Sequence, residues 1–417
     1  MDEKKSEVKA QSGKEPDARD QFIRKLFSRY YGSVKLTPPA KLEQREFGVI
    51  TERGGMWRHL GFRDTGELNE FLRKQVPLHA YHSSTYYSKP NARTMDEKGW
   101  LGADLIFDLD ADHIQGTEKM TMEEMLAAVK VQFAKLIDSY LLGDFGFEEK
   151  DLRIVFSGGR GYHAHISHAK VLRLNSHERR EIVDYITSTN PDIDKLIRKE
   201  IFETKSYQGH DTKKYTYRLY PKETPGWRGK VTASIFDFIE RTERMTKEEI
   251  LAELTEYRGI GDRLAIKIYE NLYPGKSGNR GVDKIMRDLN LEAFKEDSVR
   301  NSFINYILRE MSVQLGGETD EPVTSDTKRL IRLPGSLHGK TSLRVITLAT
   351  SELKGFLPLR DAVWDGFTDD PLRVRASNDV TVVLKGNTFK LTKDVESGLP
   401  EYAALFYVCQ KKCDILI

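Results

Sequence analysis

Residues 104–113, Asp-Leu-Ile-Phe-Asp-Leu-Asp-Ala-Asp-His, set an apolar run of strand character directly before carboxylates spaced two apart. In an extended strand alternate side chains share a face, so Asp108 and Asp110 point one way while Leu105, Phe107 and Leu109 point the other. Their Cα atoms lie roughly 6.6 Å apart at about 3.3 Å per residue, and carboxylates at that separation can converge on two divalent cations about 3.5–4 Å apart. Such a cation pair clamps the attacking and leaving oxygens in phosphoryl transfer. A strand end running into a solvated acidic turn has the same pattern, so the pair alone leaves both readings open.

The surrounding text places this strand in a mixed α/β (α+β) fold. Thr121-x-x-Glu124 forms a capping box, followed by periodic Met125, Ala128, Val129, Phe133 and Leu136 and a stop at Gly143, which predicts a long helix after the acidic strand. A short β run, Arg153 to Phe156, follows, so the helix joins two strands. Phe22, Leu26, Phe27 and Tyr30 recur with helical spacing, whereas residues 1–19 are charged and nearly free of large apolar side chains and read as a disordered lead-in. Residues 172–310 turn mostly helical, with a second capping box at Thr246-x-x-Glu249, and read as a helical insertion between catalytic parts at 20–171 and 311–350. Strand signals return at Arg329–Leu333, Leu343–Leu348 and Val380–Leu384, the last within a C-terminal β-containing region, 351–417.

Composition excludes several classes. No apolar run approaches the roughly 20 residues of a membrane span, and the N-terminus has no signal-peptide core. Cys409 and Cys413, the only cysteines, cannot form a disulfide framework or a four-cysteine metal site, which makes a reducing cytoplasmic compartment the expectation. Lys+Arg 66 against Asp+Glu 64 is nearly balanced, so any nucleic-acid footprint must be local.

Two further stretches carry chemistry. Ser157-Gly-Gly-Arg160-Gly-Tyr-His163 offers glycines that permit close backbone approach, N–H groups for an anion, a guanidinium fork and two hydrogen-bond donors. It suits a triphosphate, and a plain glycine-rich hairpin would look alike. His165 and His168 read as packed or surface residues of the next strand. Between 328 and 344 five Lys or Arg residues occur without one acid, and Arg332 and His338 flank a Pro334-Gly335 turn that aims cations at one spot. Gly335 and Gly339-Lys340-Thr341 imitate a P-loop, but three residues separate the glycines where four are needed, and no helix pattern follows.

The acidic strand also resembles the nucleophile motif of haloacid-dehalogenase-type phosphatases, with Asp108 as the attacking carboxylate. Those usually continue with Gly-Thr, whereas Ala111-Asp112-His113 follow here. Taken in order, the acidic strand, the Ser157–His163 turn and Asp320 followed by Arg332-Leu-Pro-Gly-Ser-Leu-His338-Gly-Lys340 resemble the small catalytic subunit of archaeal and eukaryotic DNA primases. Tyr30-Tyr31 and Arg45-Glu46-Phe47 match as well.

That resemblance implies a mixed-sheet catalytic domain with an RRM-like core and an inserted helical subdomain. It also implies a primase, a nucleotidyltransferase making short RNA primers on single-stranded DNA, with deoxynucleotides left open as substrates. Asp108, Asp110 and Asp320 match the metal-binding aspartates, for two Mg²⁺ or Mn²⁺ ions. Asp326 competes for the third place, but Asp320 has the matching Asp-x-x-Val-Thr context. Ser157, Arg160, His163, Arg332, His338 and Lys340 match nucleotide contacts, and Glu46 and Arg58 fall near the incoming nucleotide. An iron–sulfur-containing large subunit is the implied partner, at the replication fork. Zinc is expected to be absent, because residues 111–152 lack the cysteines of the knuckle that many relatives carry there. Gly159 stands where eukaryotic relatives tend to have a second arginine, which removes one phosphate contact. A phosphatase, or a nucleic-acid-binding homologue without catalysis, are the alternatives.

Two patterns in the helical stretch fall outside this scheme. Gly259-Ile-Gly261 with Ala265 and Ile268 resembles a helix-hairpin-helix turn that grips a DNA phosphate, and fits a simple packing turn equally well. Lys213, Lys214 and Arg218 alternate with Tyr215, Tyr217 and Tyr220, as a template channel or an ordinary half-buried strand would require.

Overall fold

The computed structural model describes residues 17–114, 119–189, 191–207, 210–274, 280–312 and 323–416. Of residues 1–19, positions 1–16 lie outside the described residues, and Ala18 and Arg19 open a helix, Ala18–Ser33, capped by Asp17. The chain divides into two compact units, Met1–Val183 with Gln314–Ile417, and Asp184–Val313. Helices and sheets are interspersed, an α+β organisation.

The first unit carries two four-stranded sheets, whose strands in chain order are β1 (Phe47–Ile50), β2 (Met56–Leu60), β3 (His79–Ser83), β4 (Leu105–Asp110), β5 (Leu152–Phe156), β6 (Gly161–Ile166), β7 (Leu330–Arg332) and β8 (Ile346–Leu348). One sheet runs β7-β3-β1-β2 and the other β8-β5-β6-β4. All neighbouring pairs in both sheets are antiparallel, which corrects the mixed sheet that the resemblance implies. The helix after β4 does not return the chain to a strand beside it. The tight turn after β5 instead folds β6 back between β4 and β5, a split β-α-β arrangement.

The alternation in β4 sets the layers. Phe107 and Leu109 share a buried face with Ile154, Phe156, Tyr162 and Ala164. Helix Met122–Lys135 closes this face, its Phe133 ring stacked on Tyr162 at 5.3 Å. Each such side chain removed from water contributes about 1.5–3 kcal/mol. The helix starts at the capping box, where Thr121 accepts from the Glu124 amide (3.3 Å) and Glu124 from that of Thr121 (2.8 Å). It continues as a wider π-type turn through Asp144. The opposite face of the sheet carries Asp108, Asp110, His163 and His165.

The C-terminal strands belong to the first unit, with Pro371–Ala376 paired to both Glu396–Pro400 and Cys413–Ile415, and Val380–Leu384 in a separate hairpin. Cys409 and Cys413 are buried free thiols.

The second unit packs its helices around Ile235, Leu254, Ile268, Ile285 and Phe303. Ile260, Ala265 and Ile268 are all core residues, so the Gly259–Gly261 turn is anchored by packing, which both readings of it require. An antiparallel ribbon, Arg198–Tyr207 with His210–Arg218, adds strands that its Lys- and Glu-rich text does not announce. On it Tyr215 pairs across Ile201 and lies 4.3 Å from the Lys199 ammonium, while Tyr217 is covered by Arg300. Among the described residues no helix is long and apolar enough to cross a membrane.

Candidate active site

The acidic end of β4 is held from beneath. Asp104 is 2% exposed and accepts from Arg45 (2.7 Å), Tyr86 (2.7 Å) and Ser167 (2.8 Å). Arg179, also buried, donates to the Ala103 and Asp104 carbonyls at 2.8 Å each, so the start of the strand is clamped on both sides of its backbone. From there strand geometry carries Asp108 and Asp110 into a half-buried position.

The cross-strand register puts His163 opposite Asp108 and Gly161 opposite Asp110. His163 Nε2 approaches Asp108 Oδ1 at 3.2 Å. Asp110 accepts from the Asp112 amide at 3.2 Å and so caps the short 3₁₀ turn Ala111–His113. Burial, with help from the charge of Asp108, pushes the Asp110 carboxyl above its usual range. Gly161 has to be glycine, because a Cβ there would lie 2.4 Å from the Leu109 carbonyl oxygen.

Ser157–Arg160 forms the turn between β5 and β6. Ser157 Oγ accepts from the amides of Gly159 (3.2 Å) and Gly161 (3.3 Å), so two N–H groups expected to face an anion are engaged internally. The serine hydroxyl, accepting twice, keeps its own proton to donate. Arg160 is ion-paired with Asp112 at the surface. Gly158 has φ +76, and a Cβ on it would lie 2.8 Å from His338 Cβ, so the turn packs directly against the basic hairpin. Thr341 Oγ1 completes the junction by donating to the Gly158 carbonyl at 2.5 Å.

Arg332 ends β7 opposite Tyr81 of β3, its guanidinium 4.6 Å from that ring. One terminal nitrogen is 2.6 Å from His79 Nδ1 and the other 3.1 Å from His338 Nε2. Burial lowers the Arg332 pKa, and Tyr81, Asp108 and Asp110 oppose the shift, which places the cation within the field of both carboxylates. The His79 imidazole is pushed down to about 3 by burial and by Arg332 and Lys340, and His338 is lowered well below its ordinary value by burial and by Arg332. Lys340 is exposed.

The structure therefore brings together Asp108, Asp110, Ser157, Arg160, His163, Arg332 and His338. Asp320 lies outside the described residues. Asp326 accepts from the Lys328 amide at 2.8 Å. Glu46 is fully buried, ion-paired with the equally buried Lys98, and accepts from Arg58 (3.1 Å) and the His59 amide (3.1 Å). Burial opposes its ionisation, but the Lys98 and Arg58 hydrogen bonds prevail and hold it below the usual range. Sequence reasoning missed His79, Tyr81 and Lys98, none of which carries a local pattern, and met Thr341 only in the rejected P-loop imitation.

Residues 107–349 match the DNA primase small subunit family. This chain is 41% identical over 394 residues to the DNA primase small subunit PriS of Methanothrix thermoacetophila, covering 93% of this chain and 97% of the relative. It is 40% identical to that of Methanocella arvoryzae (94% and 98% covered) and 38% identical to that of Picrophilus torridus (92% and 95%). The chain belongs to the DNA primase small subunit family. As a primase small subunit it is a catalytic subunit for DNA replication, a nucleotidyltransferase that makes primers. The phosphatase alternative falls with that assignment, and Asp108 is not read as a covalent nucleophile.

Proposed function

We propose that this primase small subunit synthesises short primers of RNA, with deoxynucleotides left open as substrates, on single-stranded DNA by two-metal-ion nucleotidyl transfer at the Asp108–Asp110 face. The observation that carries the reading is the pairing of two half-buried carboxylates on one strand face with the half-buried, cationic Arg332, whose charge lies within their field. The donor set fits Mg²⁺ or Mn²⁺, which take carboxylate oxygens; burial, with the Asp108 charge adding to it, makes the ionised form of Asp110 costly, a cost a divalent cation would offset. Asp108, Asp110 and Asp320 are the proposed ligands. When bound, the ions lower the pKa of the primer 3′-hydroxyl and neutralise the triphosphate.

The chain's own groups do the rest. His163 orients the Asp108 carboxylate through Nε2. Ser157 and Arg160 face the phosphates, the latter after exchanging Asp112 for a phosphate oxygen, and Arg332, His338 and Lys340 bind from the other sheet. Glu46 and Arg58 act near the incoming nucleotide through the buried ion-pair cluster. In this reading the split β-α-β sheet is the RRM-like core, and the inserted subdomain expected at residues 172–310 corresponds to the compact unit Asp184–Val313. A large, iron–sulfur-bearing subunit in the cytoplasm is the proposed partner, and the proposed site uses no zinc.

Incubating the chain with single-stranded template, Mn²⁺ and labelled nucleoside triphosphates tests this. Primer products lost in Asp110→Ala support it. No polymer from the unaltered chain, with or without a large subunit, refutes it and favours a non-catalytic homologue.

A further inference from the structure

The surroundings of Arg332 assign a role to a residue outside the motifs. Both nitrogens of its guanidinium fork end on imidazoles rather than carboxylates, and among the described residues no carboxylate forms an ion pair with it. A half-buried arginine ordinarily acquires an acidic partner, because a charge drawn partly out of water and left uncompensated is costly.

The donors settle the protonation state of both rings. His79 Nδ1 is approached by Arg332 Nη1 (2.6 Å) and by the Gly339 amide (3.2 Å), groups that can only donate, so Nδ1 carries a lone pair and the proton sits on Nε2. His338 Nε2 faces Arg332 Nη2 at 3.1 Å, which places its proton on Nδ1, 3.3 Å from Thr341 Oγ1. Thr341 passes its own proton to the Gly158 carbonyl. One chain of donors thus runs from Arg332 through His338 and Thr341 into the glycine turn, while His79 holds the other arm of the fork.

We propose that His79 is a positioning residue for nucleotide binding: its neutral imidazole fixes the Arg332 guanidinium as an acceptor without neutralising it, so that the full positive charge stays available to the anionic triphosphate. This rests on the reading of Arg332 as a nucleotide contact. A carboxylate at the same place would hold the guanidinium equally well in geometry, yet cancel the charge that the ligand is meant to meet. The two requirements, orientation and retained charge, single out a neutral acceptor. The rigid β3 strand supplies it from one side and the 336–341 loop from the other.

The test is steady-state primer extension by the full chain, with nucleoside triphosphate varied, on three substitutions of His79. His79→Ala should raise KM for the nucleotide roughly tenfold, the worth of one hydrogen bond to a charged group, with kcat changed far less. His79→Asn, a neutral acceptor, should recover most of that loss. His79→Asp should behave as badly as alanine or worse, despite being a stronger acceptor. Thermal unfolding of each variant separates a folding defect from a binding one. Unchanged KM in His79→Ala, or full function in His79→Asp, overturns the proposal. Arg332→Met serves as the control for the underlying reading. If it leaves KM unaltered, Arg332 is not a nucleotide contact and that reading fails; if it raises KM while His79→Ala does not, only the role of His79 fails.

Discussion

Acidification should unfold the first unit well before its carboxylates titrate. His82, His165 and His338 are 1%, 3% and 8% exposed, and burial comes first among the causes that hold each imidazole far below its ordinary pKa. Neighbouring positive charge adds to it, from Arg45 on His82 and from Arg332 on His338, while His82 and His165 stack at 5.9 Å and disfavour each other's protonation. The folded state thus leaves all three neutral, while the unfolded chain binds a proton on each below about pH 6.5. Because the unfolded state then holds more protons, stability falls as pH falls from about 6.5, by about 1.4 kcal/mol per pH unit for each histidine. Three together give a slope of about 4 kcal/mol per unit, and His79, held near 3 in the folded state, raises it to about 5.4, so some 8 kcal/mol is lost by about pH 5, the size of a whole domain's stability. Urea unfolding followed by circular dichroism between about pH 8 and pH 5 reads the slope as protons taken up on unfolding, expected near four for the first unit. His165→Phe should remove one proton from that count. A flat stability profile across this window, or uptake of fewer than one proton, refutes the reasoning.

Removing Lys98 by Lys98→Met strands the buried Glu46 carboxylate and should cost about 3–5 kcal/mol in urea unfolding, with Glu46→Gln in the same chain restoring part of it. Lys74→Met, which breaks an exposed pair with Glu70, should cost under about 1 kcal/mol. Gly158→Ala forces a Cβ into a left-handed backbone position against His338 and should destabilise by about 1–3 kcal/mol while raising KM for the nucleotide. Chelation of divalent cations should stop primer synthesis while leaving the far-ultraviolet circular dichroism unchanged, and added Mg²⁺ or Mn²⁺ should restore it. Loss of the fold on chelation would contradict a site held by protein hydrogen bonds alone.

What the sequence discloses here depends on how far the decisive neighbour lies along the chain. The faces of β4 follow from neighbours one and two residues away, so Leu105, Phe107 and Leu109 are buried, and Asp108 and Asp110 half-exposed, as the alternation predicts. The capping boxes at Thr121 and Thr246 are equally local and both form. Ionisation states are different, because they depend on partners that only the fold supplies. Lys98 stands 52 residues from Glu46, and His79 stands 253 residues from Arg332. Nothing in Leu-His-Ala-Tyr-His, around residue 79, marks one imidazole as an acceptor for a guanidinium. The pairing arises because β7 adds to the edge of β3 and carries Arg332 over Tyr81. Even so, the chemistry limits what can stand there. A cation kept for a phosphate needs acceptors that hold it without cancelling it, and at neutral pH imidazole is the side chain that offers a single lone pair, no charge and a rigid ring. A residue that looks incidental in the sequence is therefore where the site's electrostatics are decided, and His79→Asn against His79→Asp is the comparison in which geometry is kept and charge alone is changed.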